Sequence, residues 1–171
     1  MQKELKAHSR FFVYGNLFVT LAIMLQAIGC SSGGEKEWEF GTGNWVTSSP
    51  AVYGGHVYVG SVDKKLYCLN AADGKKVWEF FTGLAAGSSP AVSEGYVYVG
   101  SYGKFYCLNA EDGKKVWEFK TGSWVTSAPT VSGGYVYVGS WDNKLYCLNA
   151  ATGEKVWEFE SAVYPFGVPF R

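Results

Sequence analysis

One unit of about 40 residues occurs three times in succession along this 171-residue chain, and this repetition limits the possible folds most strongly. The tripeptide Trp-Glu-Phe recurs at residues 38–40, 78–80, 117–119 and 157–159, which are 40, 39 and 40 residues apart. Residues 41–80 and 120–159 are identical at 30 of 40 positions. Such regular repetition is typical of folds that stack copies of one small structural unit.

Each copy divides into four short strands separated by turn residues. In the first copy the predicted strands are residues 50–52, 56–61, 66–70 and 76–80. The second of them is apolar at the successive positions Val57, Tyr58 and Val59, so both of its faces need cover. We therefore predict an all-β fold, a partial β-propeller of about three four-stranded blades. A β-sandwich of twelve strands is the alternative, but it does not explain the regular repeat.

The predicted boundaries follow the repeat. They are a lone outer strand at 37–41, blades at 42–81, 82–120 and 121–160, and a C-terminal tail at 161–171. The second copy is one residue shorter at 101–104, which predicts a loop there. Closed propellers have about four to eight blades, so three blades leave two faces uncovered. This predicts a homo-oligomer or an exchange of blades between copies, and a truncated gene is an equal alternative.

The N-terminal segment, residues 1–29, has the pattern of a targeting signal, with a basic start followed by an apolar run at 11–28. Gly29 and Cys30, followed by a Ser/Gly tether at 30–36, resemble a bacterial lipoprotein box, which implies a lipid on Cys30. An uncleaved membrane-anchor helix and a plain signal peptide remain open, since 18 apolar residues are barely enough to span a bilayer. All three alternatives predict export from the cytoplasm.

Composition excludes two classes of protein. Apolar residues make up 47% of the chain, which is too many for an intrinsically disordered protein. The formal net charge is zero, so no basic excess is present to bind nucleic acid.

The segment from Cys68 to Trp78 resembles the repeat of pyrroloquinoline quinone (PQQ)-like propellers, with Gly74, Lys75 and Trp78 at matching positions. In that family the tryptophan docks on the neighbouring blade and the glycine forms a tight turn. The resemblance implies seven blade-docking residues. They are Trp38, Trp78, Trp117, Trp157, Gly74, Gly113 and Gly153. Among PQQ-like proteins the chain resembles the outer-membrane assembly-scaffold lipoproteins, which implies a membrane-anchored, non-catalytic protein of the cell envelope.

No catalytic, metal-binding or cofactor-binding residues are predicted. The acidic residues occupy repeat positions, and neither histidine has a partner at metal-ligand spacing. Cys68, Cys107 and Cys147 recur on successive blades, about 12 Å apart in a propeller, which is too far for disulfides. We interpret them as buried thiols. PQQ itself is not expected to bind.

The candidate binding face lies where loops between blades meet the loops that join the second and third strands. Aromatic side chains at loop tips are typical of recognition surfaces. The candidate residues are Trp45, Trp124, Trp141, Tyr102, Asp63 and Asp142. Packing between blades is the alternative for Trp45 and Trp124.

The sequence therefore predicts an exported, lipid-anchored propeller that binds or scaffolds protein partners in the cell envelope. Two alternative functions remain, a fragment of a PQQ-dependent quinoprotein dehydrogenase and a carbohydrate- or polymer-binding surface protein.

Overall fold

The computed structural model describes residues 36–161, and from Glu37 onward these form one compact unit. The predicted signal or anchor helix, Cys30 and most of the tail lie outside the described residues. Within residues 36–161 no helix is long and apolar enough to cross a membrane.

The described residues form antiparallel strands in three sheets, one for each sequence repeat. The first sheet contains β1 (Ala51–Tyr53), β2 (His56–Ser61), β3 (Lys65–Asn70) and β4 (Lys76–Phe81), in that spatial order. The second contains β5 (Ala91–Ser93), β6 (Tyr96–Asn109) and β7 (Lys115–Trp124). The third contains β8 (Thr130–Ser132), β9 (Tyr135–Ser140), β10 (Lys144–Asn149) and β11 (Lys155–Glu160). This is the all-β partial propeller that the repeat predicts.

The register of the sheets places a Tyr, a Cys and a Trp side by side across each blade. In the first blade Tyr58 pairs with Cys68, and Cys68 pairs with Trp78. The third blade repeats the row with Tyr137, Cys147 and Trp157. Paired residues on neighbouring strands point to the same face of a sheet. Each blade therefore presents the same row of side chains to whatever lies beside it.

The lone outer strand predicted at 37–41 is not present. Residues 36–50 form no ladder with any strand, although the segment carries the same Trp-Glu-Phe as β4. A strand requires a neighbouring backbone to satisfy its N–H and C=O groups. The described part of the chain offers no free inner strand at this place, so residues 37–41 form no ladder, and Trp38 and Phe40 pack their side chains against the first blade.

The predicted loop at 101–104 is a tight reversal of the chain, and β6 continues through it without a break. The Ala110 N–H donates to the Gly95 carbonyl at 2.8 Å, so the two ends of β6 meet. A straight strand of 14 residues would hold its ends about 45 Å apart. The strand therefore folds back on itself at Gly103, where φ is +68°. Shortening this repeat by one residue tightened the loop into a continuous hairpin, and β7 extends beyond the predicted blade end at 120 to pair Trp124 with Tyr102.

The hydrophobic core lies between blades rather than within them. The cluster between the first and second blades includes Tyr58, Leu66, Val97 and Leu108. An equivalent cluster lies between the second and third blades. A third, smaller cluster lies on the other face of the first blade, where Trp38 and Phe40 cover Val59. Blade-to-blade packing is therefore what holds the repeats together.

Candidate functional site

Each blade junction is built around a tryptophan that lies on the turn glycine of the following blade. A Cβ atom added to Gly113 would lie 2.7 Å from Trp78, and one added to Gly153 would lie 2.6 Å from Trp117. Both glycines also have φ near +70°, which L-residues with side chains rarely adopt. Only glycine satisfies both requirements. The ring and the turn therefore pack in direct contact.

A backbone carbonyl in the same turn fixes the orientation of each ring. The carbonyl of Ala110 accepts the indole N–H of Trp78 and the hydroxyl of Tyr58, both at 3.1 Å. The Ala150 carbonyl accepts the equivalent donors, Trp117 and Tyr98. The Tyr and the Trp of one blade thus donate together to one carbonyl of the next. Burial, the larger cause, and the neighbouring Cys68 raise the pKa of Tyr58 to about 12, so this hydroxyl remains a donor at neutral pH.

The first and last copies of the docking tryptophan have different surroundings. Trp38 lies on Gly74 and donates to the Ala71 carbonyl at 3.0 Å, although it belongs to no blade. Trp157 is 43% exposed, and residues 36–161 place no turn glycine beneath it. The structure therefore brings three of the four predicted tryptophans together with Gly74, Gly113 and Gly153 and leaves Trp157 at the surface.

The candidate binding face lies at the opposite end of the sheets from these turns. Trp45 is 75% exposed and Trp141 is 70% exposed. Each of these tryptophans lies in a loop that is hydrogen-bonded to a neighbouring loop. The Val62 N–H donates to the Trp45 carbonyl, and the Trp141 N–H donates to the Trp124 carbonyl. Trp45 therefore does not fill the space between blades.

Three aromatic residues of this face are linked by one ring contact and one backbone hydrogen bond, and we call them the aromatic loop cluster: Tyr102, Trp124 and Trp141. The rings of Tyr102 and Trp124 meet edge to face, with centroids 5.0 Å apart. The Trp141 N–H donates to the Trp124 carbonyl at 2.8 Å. The Trp141 indole N–H also donates to the Thr126 hydroxyl at 2.9 Å. The most exposed ring of the cluster, that of Trp141, is therefore oriented by a side-chain hydrogen bond.

The two acidic residues predicted for this face bind groups of the fold itself. One carboxylate oxygen of Asp142 accepts the Tyr146 hydroxyl and the Gly122 N–H, both at 2.7 Å. Asp63 makes the same pair of contacts in the first blade. Burial acts to raise the pKa of each carboxyl, but the hydrogen bonds they accept outweigh it and hold the pKa below its usual value. These carboxylates tie the loop between blades to the loop beside it.

The three repeated cysteines are buried and free. Burial raises the pKa of Cys68 to about 11 and that of Cys107 to about 12, so both thiols are protonated and unreactive at neutral pH. Within residues 36–161 no three His, Cys, Asp or Glu side chains lie close enough to hold a metal ion.

Sequence reasoning missed an open groove of about 370 Å³ between the first and second blades, at the end of the sheets where the docking turns lie. Glu94 and Glu111 line it together with aromatic rings, among them Tyr53 and Tyr96. Both glutamates are peculiar to the second repeat, whose neighbours have Gly54 and Gly133 in place of Glu94. Departures from the repeat were the signal that could have located this groove.

Comparisons with known proteins agree with this architecture. The family described as outer membrane protein assembly factor BamB matches residues 7–86 and 81–167. No curated protein sequence matches the chain. Among solved structures, BamB from Moraxella catarrhalis is similar over 72% of this chain and 39% of its own, with 21% identity and a TM-score of 0.65.

Two further solved structures share the fold. The quinohemoprotein alcohol dehydrogenase ADHIIG from Pseudomonas putida HK5 is 25% identical over 72% of this chain, with a TM-score of 0.63. The computationally designed Ika4 protein is 15% identical over 75% of this chain and 81% of its own, with a TM-score of 0.68. The chain spans 39% of the BamB structure and 22% of the dehydrogenase. By its sequence match and its blade architecture, the chain belongs to the PQQ-like β-propeller family that includes the outer membrane assembly factor BamB.

Proposed function

We propose that this chain is a non-catalytic protein-binding module of the cell envelope, anchored through a lipid on Cys30. Its partner is another envelope protein, which contacts the aromatic loop cluster. The single observation that carries the proposal is the exposure of large aromatic rings at one end of the blades, where Tyr102 of the second repeat meets Trp124 of the third and Trp141 is 70% exposed. Family membership supports the location and the scaffolding role.

The geometry of Trp141 suits a binding anchor. Tryptophan and tyrosine are the residues most enriched where protein interfaces gain their affinity. The hydrogen bond from the Trp141 indole to Thr126 holds the exposed ring in place before any partner arrives. A side chain that is fixed in advance loses less conformational entropy on binding.

The carboxylates of the described blades support the proposal that no quinone cofactor binds. A cofactor that recruits a metal needs acidic side chains that are free to converge on it. Asp63 and Asp142 accept hydrogen bonds from the fold, and each outer strand pairs its glutamate with lysines. The pairs are Glu79 with Lys65 and Lys76, Glu118 with Lys104 and Lys115, and Glu158 with Lys144 and Lys155. These five carboxylates are therefore not free to converge on such a metal.

Site-specific photo-cross-linking tests the proposed binding face. A photoreactive phenylalanine analogue at position 141 should give one discrete adduct with an envelope protein in intact cells. The matched control places the analogue at Tyr135, which is exposed at the other end of the same blade. An adduct from both positions, or from neither, would contradict the proposal.

The lipid anchor is tested separately. Metabolic labelling with a radioactive fatty acid should mark the wild-type chain, and Cys30→Ala should abolish the label. Label that survives this substitution would refute the anchor and leave the binding face unaffected.

The alternative of a dehydrogenase fragment has one observation in its favour, the similarity to the quinohemoprotein alcohol dehydrogenase. Purified chain supplied with PQQ, calcium and an electron-accepting dye is expected to oxidise neither alcohols nor sugars. Turnover that depends on PQQ would contradict the non-catalytic role and support the dehydrogenase alternative.

A further inference from the structure

The outer face of the third blade exposes large apolar side chains at positions where those of the other two blades are buried or half-buried. Leu66 of the first blade is fully buried, whereas its counterpart Leu145 is 40% exposed. Trp157 and Phe159 are exposed as well. Within residues 36–161 nothing packs on this face, which is one half of a blade junction.

The other half of a junction lies at the far side of the first blade. Its turn holds Gly74 at φ +68°, and its Ala71 carbonyl accepts the Trp38 indole at 3.0 Å. This turn therefore receives a docking tryptophan in the same way as the turns of the second and third blades.

Two aromatic side chains of the segment that now occupies this turn pack on the first blade. Trp38 lies on Gly74, and the Phe40 ring meets Tyr67 edge to face with centroids 5.2 Å apart. No backbone ladder holds residues 36–41 to the blade. Gly41 directly follows this segment, and glycine has more backbone freedom than other residues, so a displacement of the segment can begin there.

From these observations we propose that the third blade of one chain docks on the first blade of a second copy, with Trp157 taking the place of Trp38. The exposed tripeptide Trp157-Glu158-Phe159 is identical to the resident Trp38-Glu39-Phe40. The segment at 38–40 thus acts as a built-in competitor that closes the interface until a second copy displaces it.

The incoming blade offers one donor that the resident segment lacks. At both internal junctions a Tyr and a Trp donate together to one carbonyl, Ala110 in the first and Ala150 in the second. Among residues 36–161 the Ala71 carbonyl accepts the Trp38 indole and no tyrosine hydroxyl, because residues 36–50 contain no tyrosine. Tyr137 lies in the row of Trp157, with ring centroids 6.0 Å apart, and would restore the second hydrogen bond.

With the three described blades of each of two chains, two such contacts would close a ring of six blades, which is within the range of known propellers. A ring of two identical chains has the two-fold symmetry common among oligomers. The interface lies on the blade faces and not on the aromatic loop cluster, so it is independent of the proposed function.

The test mixes two differently tagged preparations of the full chain in mild detergent and measures how much of one is captured with the other. Light scattering should give the protein mass of two chains. Trp157→Ala and Phe159→Ala, both at exposed side chains, should each lower co-capture at least tenfold. Trp141→Ala is the matched control on the same blade and should change it less than twofold.

Removal of the competitor gives the most specific result. Trp38→Ala, with a circular dichroism spectrum like that of the wild type, should raise co-capture several-fold, and Phe40→Ala should raise it less. A wild-type monomer, an open polymer, or co-capture that Trp157→Ala leaves unchanged would overturn the proposal. A decrease with both Trp38→Ala and Phe40→Ala would also overturn it, because displacement would then not be the limiting step.

Discussion

Trp117 and Trp157 occupy the same position of nearly identical repeats, yet their surroundings differ. Each is paired with a cysteine in the same register, Cys107 in one blade and Cys147 in the other. Trp117 lies on the next blade with 8% of its surface exposed, whereas Trp157 is 43% exposed. The local sequence therefore determines the strand and its register. The neighbouring blade determines how deeply the tryptophan is buried and how much it contributes to the free energy of unfolding.

The largest predicted difference is between these two tryptophans. Trp117→Ala should lower the free energy of unfolding by about 3–5 kcal/mol, because it empties a buried site. Trp157→Ala should cost less than about 1 kcal/mol in the monomer, because no neighbouring blade packs on its ring. Urea denaturation at a concentration where the chain is monomeric measures both. Equal losses would show that the outer face of the third blade is covered.

The comparison also shows which features could be predicted from sequence. The strands and blades follow from turn residues and apolar runs that recur at a fixed spacing. The strand at 37–41 could not be excluded in this way, because its sequence is that of an outer strand and only the missing partner backbone prevents it. The hydrogen bonds that Asp63 and Asp142 accept from the neighbouring loop could not be predicted either. The sequence of a loop is the same whether its carboxylate faces solvent or another loop.

A second prediction separates the docking contact from the turn that supports it. Gly113→Ala places a methyl group against Trp78, where a Cβ would lie 2.7 Å away, and also strains a residue at φ +71°. The control Gly134→Ala has φ +81° but nothing within 4 Å. The control should cost about 1–2 kcal/mol for the backbone alone. Gly113→Ala should cost at least about 1 kcal/mol more, and thermal or urea unfolding of the two variants gives the difference. Equal losses in the two variants would mean that the Trp78 ring moves away from the added methyl group without a loss of stability.

A third, smaller effect distinguishes the first and third blades from the second, which lacks the loop aspartate. The folded-state pKa values of Asp63 and Asp142 lie below the usual value. Their contribution is therefore complete above the unfolded pKa of about 3.9 and is lost as the pH falls through the lower folded pKa. Asp142→Asn should cost about 1 kcal/mol at pH 7. The same variant should lose less stability than the wild type when the pH falls below about 4. An unchanged acid dependence in urea denaturation would show that Asp142 does not stabilise the loop.

Amide hydrogen exchange of β4 and β11 tests most directly whether a neighbouring blade, rather than the repeat itself, stabilises an outer strand. The two strands share the sequence Lys-Val-Trp-Glu-Phe and pair with equivalent inner strands, but only β4 has a docked tryptophan. In dilute, monomeric chain the amides of β11 should exchange at least about tenfold faster than those of β4. Equal protection of the two strands under these conditions would contradict the account.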